Sequence, residues 1–259
     1  MQIPNADTVH KLPRIFCDVT LAGDTEADLP DAAAHHLRAV LRKSEGDCVR
    51  LFNGRDGEWL GELVLLTKKA ATARPVTCLK PQRPEPGPRI LFAPIKKQRM
   101  DVLIEKAVEL GGARLSPVIT QRTENRNLKA DRLLAQVIGA AEQCERLTVP
   151  ILDEPQNLDA VLEQWGGESP LIFLAEKGPG RPLLELATEV GRADVGLVIG
   201  PEGGFTENEL ESLDALASSH AATLGPRILR AETAALAALA IWQASAGDGG
   251  RAPRQEMKD

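Results

Sequence analysis

The chain has 259 residues, 43% of them hydrophobic and 26% charged, with a net charge of −6, which allows one large domain or two modest ones, each with a buried core. No uninterrupted apolar run approaches the roughly 18 to 20 residues that cross a bilayer, and the first residues lack the basic, apolar and small-residue segments of a secretory signal, so a cytoplasmic protein without membrane contact is expected. Four cysteines at 17, 48, 78 and 144 match neither a zinc site nor a CxxC redox motif, no metal is expected, and five Phe, three Trp and no Tyr disfavour a nucleic-acid reader built on stacked aromatics.

The first elements are short and β-like. Strands are expected at 14–19, 48–52, 59–66 and 73–79, with a hairpin signal at 53–57, where Asn53, Gly54, Asp56 and Gly57 cluster. One helix interrupts them: Pro30 and Asp31 start it, and Leu37, Val40 and Leu41 give it an apolar face. This reads as a small β-barrel over residues 1–80. Residues 80–88 hold four prolines and a glycine, which forbids a helix and disfavours a paired strand, so the domain boundary is expected there.

Beyond the boundary the period changes. Apolar strands at 90–93, 115–119, 171–174, 195–199 and 222–224 alternate with helical patterns at 100–110, 130–143, 183–190, 207–217 and 232–244. That alternation predicts an α/β domain over 89–246, a parallel sheet covered by helices on both faces, followed by a frayed tail at 247–259.

Ligands of open α/β sheets bind beyond the carboxyl ends of the strands, which directs attention to the loops after Leu174, Ile199 and Leu224. The second loop, Gly200-Pro-Glu-Gly-Gly-Phe-Thr206, joins a buried strand to a helix with Thr206 as cap and Glu209 at the capping-box position. Its glycines let backbone approach a ligand. It has neither the Lys-Ser/Thr of a phosphate-binding P-loop nor a GxGxxG dinucleotide fingerprint, which argues against a kinase or dehydrogenase. The third loop places Gly225-Pro226, Arg227, Arg230 and Glu232 at another strand-to-helix junction. The helix after it is rich in alanine, which suits close packing or a subunit interface.

These segments, together with His35-His36-Leu-Arg38-Ala-Val-Leu-Arg42, Glu105-Lys106-Ala-Val-Glu109-Leu110-Gly111, Glu142-Gln143-Cys-Glu-Arg146 and Leu224-Gly-Pro-Arg-Ile-Leu-Arg-Ala-Glu-Thr-Ala234, resemble a known family. It is that of the bacterial enzymes that methylate N3 of a uridine in 16S ribosomal RNA, within the trefoil-knotted class that uses S-adenosylmethionine (SAM). The resemblance runs from Arg14 to Trp242. The chain departs from the family's pattern at Glu105, Val108 and Glu145, where Gln, Thr and Gly are usual.

The resemblance implies an amino-terminal PUA-like RNA-binding β-barrel, a carboxyl-terminal α/β domain with a parallel sheet and a trefoil knot, and a homodimer acting on 16S rRNA in the small ribosomal subunit. SAM-binding residues carried over by position are Leu174 and Glu176, then Gly200, Glu202 and Gly204, then Leu224, Gly225, Ile228 and Leu229. Uridine N3 carries a proton that must leave before or during methyl transfer. Glu202 or Glu232 is a candidate to take it, and Arg230 a candidate to stabilise the uridine anion; the sequence does not choose between them. Residues 1–86 carry 12 basic and 12 acidic side chains, so RNA contact needs clustering. Arg14, Arg38, Arg42 and Lys43, and the run Lys96, Lys97 and Arg99 at the second domain's first strand-to-helix turn, are the candidate phosphate contacts. The competing readings are a non-catalytic RNA-binding adapter and a knotted methyltransferase acting on another RNA.

Overall fold

The computed structural model describes residues 6–23, 25–167, 169–175, 180–191 and 194–250. The chain divides into two compact units, one built from residues up to Glu85 together with Ala141–Val149, the other from Pro86–Ala140 and the residues from Pro150 onward. The Pro-rich stretch after Lys80 forms neither helix nor strand. Residues 141–149, kept with the second domain when read from sequence, pack with the first.

The first unit contains α1 (Ala6–Val9), β1 (Arg14–Phe16), β2 (Ala27–Asp28), α2 (Asp31–His35) continuing into a π-helical turn (His36–Val40), β3 (Cys48–Phe52), β4 (Glu58–Leu66) and β5 (Ala71–Lys80). They form a curled five-stranded sheet in the order β1-β3-β4-β5-β2. The expected hairpin joins β3 to β4: the Asn53 side-chain oxygen accepts from the backbone N–H of Arg55 and Asp56, a local turn that asparagine favours. Pro75 lies within β5, opposite Gly61 at a register shift, where a residue without an N–H costs no ladder hydrogen bond.

Alternation along β3 separates two environments. Val49 and Leu51 join Cys17, Leu37, Leu63 and Ala73 in an apolar core, each large side chain contributing about 1.5–3 kcal/mol by burial. Arg50, between them in sequence, enters a buried cluster of charges. Its centre is Glu58, only 1% exposed, paired with Arg14, with Arg50 and with Lys80. Glu145, from the 141–149 segment, pairs with Arg50 at 2.9 Å and Lys80 at 3.4 Å. The Arg14 guanidinium also donates to the carbonyls of Ala141 and Arg146. Arg14 is therefore corrected from an RNA contact to an internal clamp: its donors are spent on buried acceptors.

The second unit contains β6 (Arg89–Phe92), α3 (Lys97–Glu109), β7 (Arg114–Ile119), α4 (Ala130–Cys144, whose last residues belong to the first unit), β8 (Ile151–Leu152), β9 (Gln156–Asn157), α5 (Leu158–Gln164), β10 (Leu171–Leu174), β11 (Arg181–Pro182), α6 (Leu183–Val190), β12 (Gly196–Ile199), α7 (Glu207–Asp214), β13 (Ser219–Thr223) and α8 (Ala231–Ser245). The strands run parallel in the order β11-β13-β10-β12-β6-β7-β8, with β9 also on β7. Leu91, Phe173 and Val198 face α5 and α7, while α3 and α6 each pack on α8. Burial on both faces explains the nearly unbroken apolar strands.

Pro117 sits inside β7, yet breaks nothing. The carbonyls of Ala113 and Leu115 accept from Ile151 and Asp153, so Pro117, in the same alternation, turns its missing N–H to that edge. There β8 pairs with Arg114 and Leu115, β9 with Val118 and Ile119, leaving a gap at Pro117. Three differences from the sequence pattern stand out. Helix α5 was not foreseen, β13 starts three residues before the expected strand, and α7 stops at Asp214. Strand β13, SHAAT, has only small or polar side chains, which gives alternation little contrast.

Candidate active site

Strand β10 lies between β12 and β13, so the three loops suspected from sequence leave neighbouring strand ends. Together they enclose a cavity of about 400 Å³, a size suited to a small-molecule ligand. Leu174, Gly200, Glu202, Gly204, Leu224, Gly225 and Leu229 all line it. Ile228 does not: it is 82% exposed, its side chain turned to solvent between the lining residues Arg227 and Leu229. Glu176 lies outside the described residues.

The loops after β12 and β13 are held by identifiable contacts. Thr206 is extended and caps α7 in a full capping box with Glu209. The Glu209 carboxylate, 4% exposed, accepts from the backbone N–H of Thr206 at 2.8 Å and, with its other oxygen, from that of Gln121 at 2.7 Å. Beside it the Arg122 guanidinium donates to the carbonyls of Gly203 at 2.7 Å and Phe205 at 3.2 Å. The loop after β7 thus grips the loop after β12. Gly204 has φ +68° and Gly225 φ +101°, backbone that favours glycine. At Gly225 the direction a side chain would take is open space, and the Thr223 hydroxyl accepts its N–H at 3.2 Å.

Two of the three catalytic candidates come together, through a residue assigned elsewhere. Arg99, in the first turn of α3, lies 3.7 Å from a carboxylate oxygen of Glu202 and 3.7 Å from one of Glu232, in the first turn of α8. The second oxygen of Glu232 is buried and makes no hydrogen bond among the described residues. Arg230, the third candidate, is the exposed N-cap of α8. Lys96 and Lys97 are exposed at the start of α3.

In the first unit Arg38 and Arg42 are exposed on and just after the π-helical turn, with Lys43 half-buried beside them. Arg42 has φ +54°, and Val40 and Leu41 are exposed between the arginines. His35 and His36 are also exposed, and no group of three metal-ligating side chains occurs among the described residues. No described helix is long and apolar enough to cross a membrane. Sequence reasoning missed Gln121 and Arg122, which hold the loop after β12, and Phe205, which with Arg122 lines the cavity. Only Phe205, within the glycine loop, carried a local signal.

Comparison with known proteins gives concordant matches. The family model of an RNA methyltransferase domain matches residues 84–243, and that of an RNA methyltransferase PUA domain matches 29–76. The chain is 33% identical over 232 residues to ribosomal RNA small subunit methyltransferase E of Rickettsia conorii, covering 89% of this chain and 94% of that protein. It is similar to the structure of ribosomal RNA small subunit methyltransferase E from Neisseria gonorrhoeae bound to SAM, with a TM-score of 0.78, 31% identity, and 90% and 97% of the two chains covered. A SAM-bound structure from Legionella pneumophila gives 0.75 at 31% identity with the same coverage.

Proposed function

We propose, from the premise that the chain belongs to the ribosomal RNA small subunit methyltransferase E family, that it transfers the methyl group of SAM to N3 of a uridine in 16S rRNA. The observation that carries this reading is the cavity at the ends of β10, β12 and β13, lined by backbone of Gly200, Gly204 and Gly225 and by Leu174, Leu224 and Leu229. Those residues fit SAM. The open space over Gly225 admits a ligand against the main chain, the leucines offer apolar surface, and Glu202 sits at the wall as a carboxylate able to answer a cationic group.

When bound, SAM supplies a methyl carbon made electrophilic by the sulfonium that carries it. The protein's part is chiefly alignment, which contributes most to an in-line displacement. Arg122, itself on the cavity wall, and Glu209 fix the loop 200–206, so its backbone is positioned before any ligand arrives. Glu202 and Glu232 offer carboxylates for the N3 proton. Exposed Lys96 and Lys97 lie close in sequence to Arg99, where RNA phosphates can be neutralised, and Arg38, Arg42 and Lys43 supply a second basic strip on the PUA unit.

The same reading makes the protein a cytoplasmic homodimer with a knotted carboxyl-terminal domain, acting on RNA within the assembled small subunit. The alanine-rich α8 suits such a dimer. Calorimetric titration with SAM, S-adenosylhomocysteine, NAD and ATP tests the cofactor: binding of the first two alone is expected. Primer extension on rRNA from a deletion strain tests the product, because N3 methylation blocks pairing and stops reverse transcriptase at one nucleotide. A stop that persists without the gene refutes the assignment.

A further inference from the structure

Among the cationic side chains at this end of the second unit, Arg99 is held in place without being used up. Its two ionic neighbours stand at 3.7 Å, beyond hydrogen-bond length. Its side chain donates no hydrogen bond among the described residues. Arg114, by contrast, spends its guanidinium on Asp153 in three contacts of 2.8 to 3.0 Å. Arg99 is also only 35% exposed, so its charge is partly withdrawn from water, where an electrostatic contact gains strength. The carboxylates of Glu202, at the cavity wall, and Glu232, on α8, fix it from two sides. Lys96 and Lys97 precede it in sequence and are exposed to solvent.

Arg230 offers none of this. It is exposed, and no ion pair holds it among the described residues. Glu232 has one oxygen turned to Arg99 and the other buried, so it is poorly placed to exchange a proton with solvent. Glu202 lines the cavity and keeps a third of its side chain exposed.

Building on the proposed function, we infer that Arg99 is a catalytic residue that receives the negative charge of the uracil ring as N3 is deprotonated, with Glu202 taking the proton and Glu232 anchoring the guanidinium. The N3–H bond breaks, its electron pair stays on the ring, and an O–H bond forms on Glu202. The charge left behind spreads over N3 and the flanking O2 and O4 oxygens. A planar guanidinium with adjacent N–H donors matches neighbouring acceptors of that kind, which a lysine meets only as a point charge.

The test is single-turnover methylation of reconstituted small subunits by wild type, Arg99→Gln, Arg99→Lys and Arg230→Gln across a pH series. It uses ordinary 16S rRNA and 16S rRNA transcribed with 5-fluorouridine, whose N3–H is more acidic. Subunit affinity is measured by filter binding and SAM affinity by calorimetry. Removing a charge-stabilising donor costs on the order of 10²–10³-fold in rate, so Arg99→Gln should slow the saturated reaction by about that factor while both affinities stay within about threefold. Its rate should keep rising with pH where the wild-type rate levels off, and fluorinated RNA should restore about tenfold or more. Arg99→Lys should retain part of the rate.

A loss confined to subunit affinity, with the saturated rate intact, would make Arg99 a phosphate contact and overturn the inference. Equal defects on ordinary and fluorinated RNA would do the same, as would a silent Arg99→Gln beside a crippled Arg230→Gln. Wild type that methylates neither RNA would instead overturn the proposed function, and this role with it.

Discussion

Replacing Glu209 with alanine removes three contacts at once. Its carboxylate accepts from the backbone N–H of Gln121 at 2.7 Å, from that of Thr206 at 2.8 Å and from the Thr206 hydroxyl at 3.1 Å. The hydroxyl can turn to water, but the two N–H groups lose their acceptor. A buried donor left unmade costs about 1–3 kcal/mol, and the lower half of that range applies because neither Gln121 nor Thr206 is fully buried. The sum is about 3 kcal/mol, or roughly 6–12 °C in the melting of a unit this size. Glutamine keeps one acceptor oxygen and presents an amide donor in place of the other, so Glu209→Gln should lose about half as much. Because the broken contacts hold the loop 200–206 against the loop after β7, SAM affinity should fall about tenfold in Glu209→Ala, equivalent to about 1.4 kcal/mol. Calorimetry measures both effects, and hydrogen exchange at Gln121 and Thr206 should accelerate. Unchanged SAM affinity with a melting shift under about 2 °C would mean that Arg122 holds the loop alone, and would refute the coupling through Glu209.

Arg14→Met should destabilise the first unit by about 3–5 kcal/mol, the cost of stranding a buried charge, as read by urea unfolding at neutral pH. Burial opposes ionisation of Glu58, but the hydrogen bond and charge of Arg14, with Lys80, outweigh it and hold the carboxyl below its usual range. This stabilisation is therefore present above the unfolded value of about 4.3 and lost as pH falls through the lower folded value; Glu58→Gln should flatten that acid limb of the urea midpoint. Lys96→Gln combined with Lys97→Gln should weaken RNA binding and reduce its salt slope by about one per phosphate contact, measured by filter binding, with SAM affinity unchanged by calorimetry. Gly225→Val puts a branched residue at φ +101° on the cavity wall, and should lower SAM affinity at least about tenfold by titration. At Glu145, φ +60°, glycine relieves backbone strain while losing the ion pairs, whereas alanine loses the pairs and keeps the strain, so Glu145→Ala should unfold about 1 kcal/mol more easily than Glu145→Gly.

What the sequence discloses follows from how far apart the cooperating residues lie. The longer apolar strands and most helices of the second unit are written in local periodicity, and the glycine loop with its Thr206 and Glu209 box is local too, so these are readable, whereas α5 and the small-residue start of β13 are not. The partners of that loop, Gln121 and Arg122, stand more than 80 residues away, and nothing in their own neighbourhood marks them. Arg14 misleads for the same reason: its carboxylate partner is 44 residues along and its carbonyl partners more than 120. Glu145 was visible only as a departure from a pattern that has glycine there, and φ +60° supplies the reason for that glycine.

Arg99 is a different case, because the information about its direction was local. Lys96, Lys97 and Arg99 read as one basic patch when charges are counted along the chain. On a helix advancing about 100° per residue, positions 97 and 99 point about 200° apart, so they cannot share a face. One must look outward if the other looks in. Lys97 takes the exposed side, and the helix turn delivers Arg99 to the carboxylates of Glu202 and Glu232. A basic run that crosses a helix start therefore holds two populations of cations: those left to water, free for phosphates, and one aimed at the site. Only the second has a fixed geometry, which is why a change at Arg99 should move the pH dependence of the reaction while a change at Lys97 should move its salt dependence.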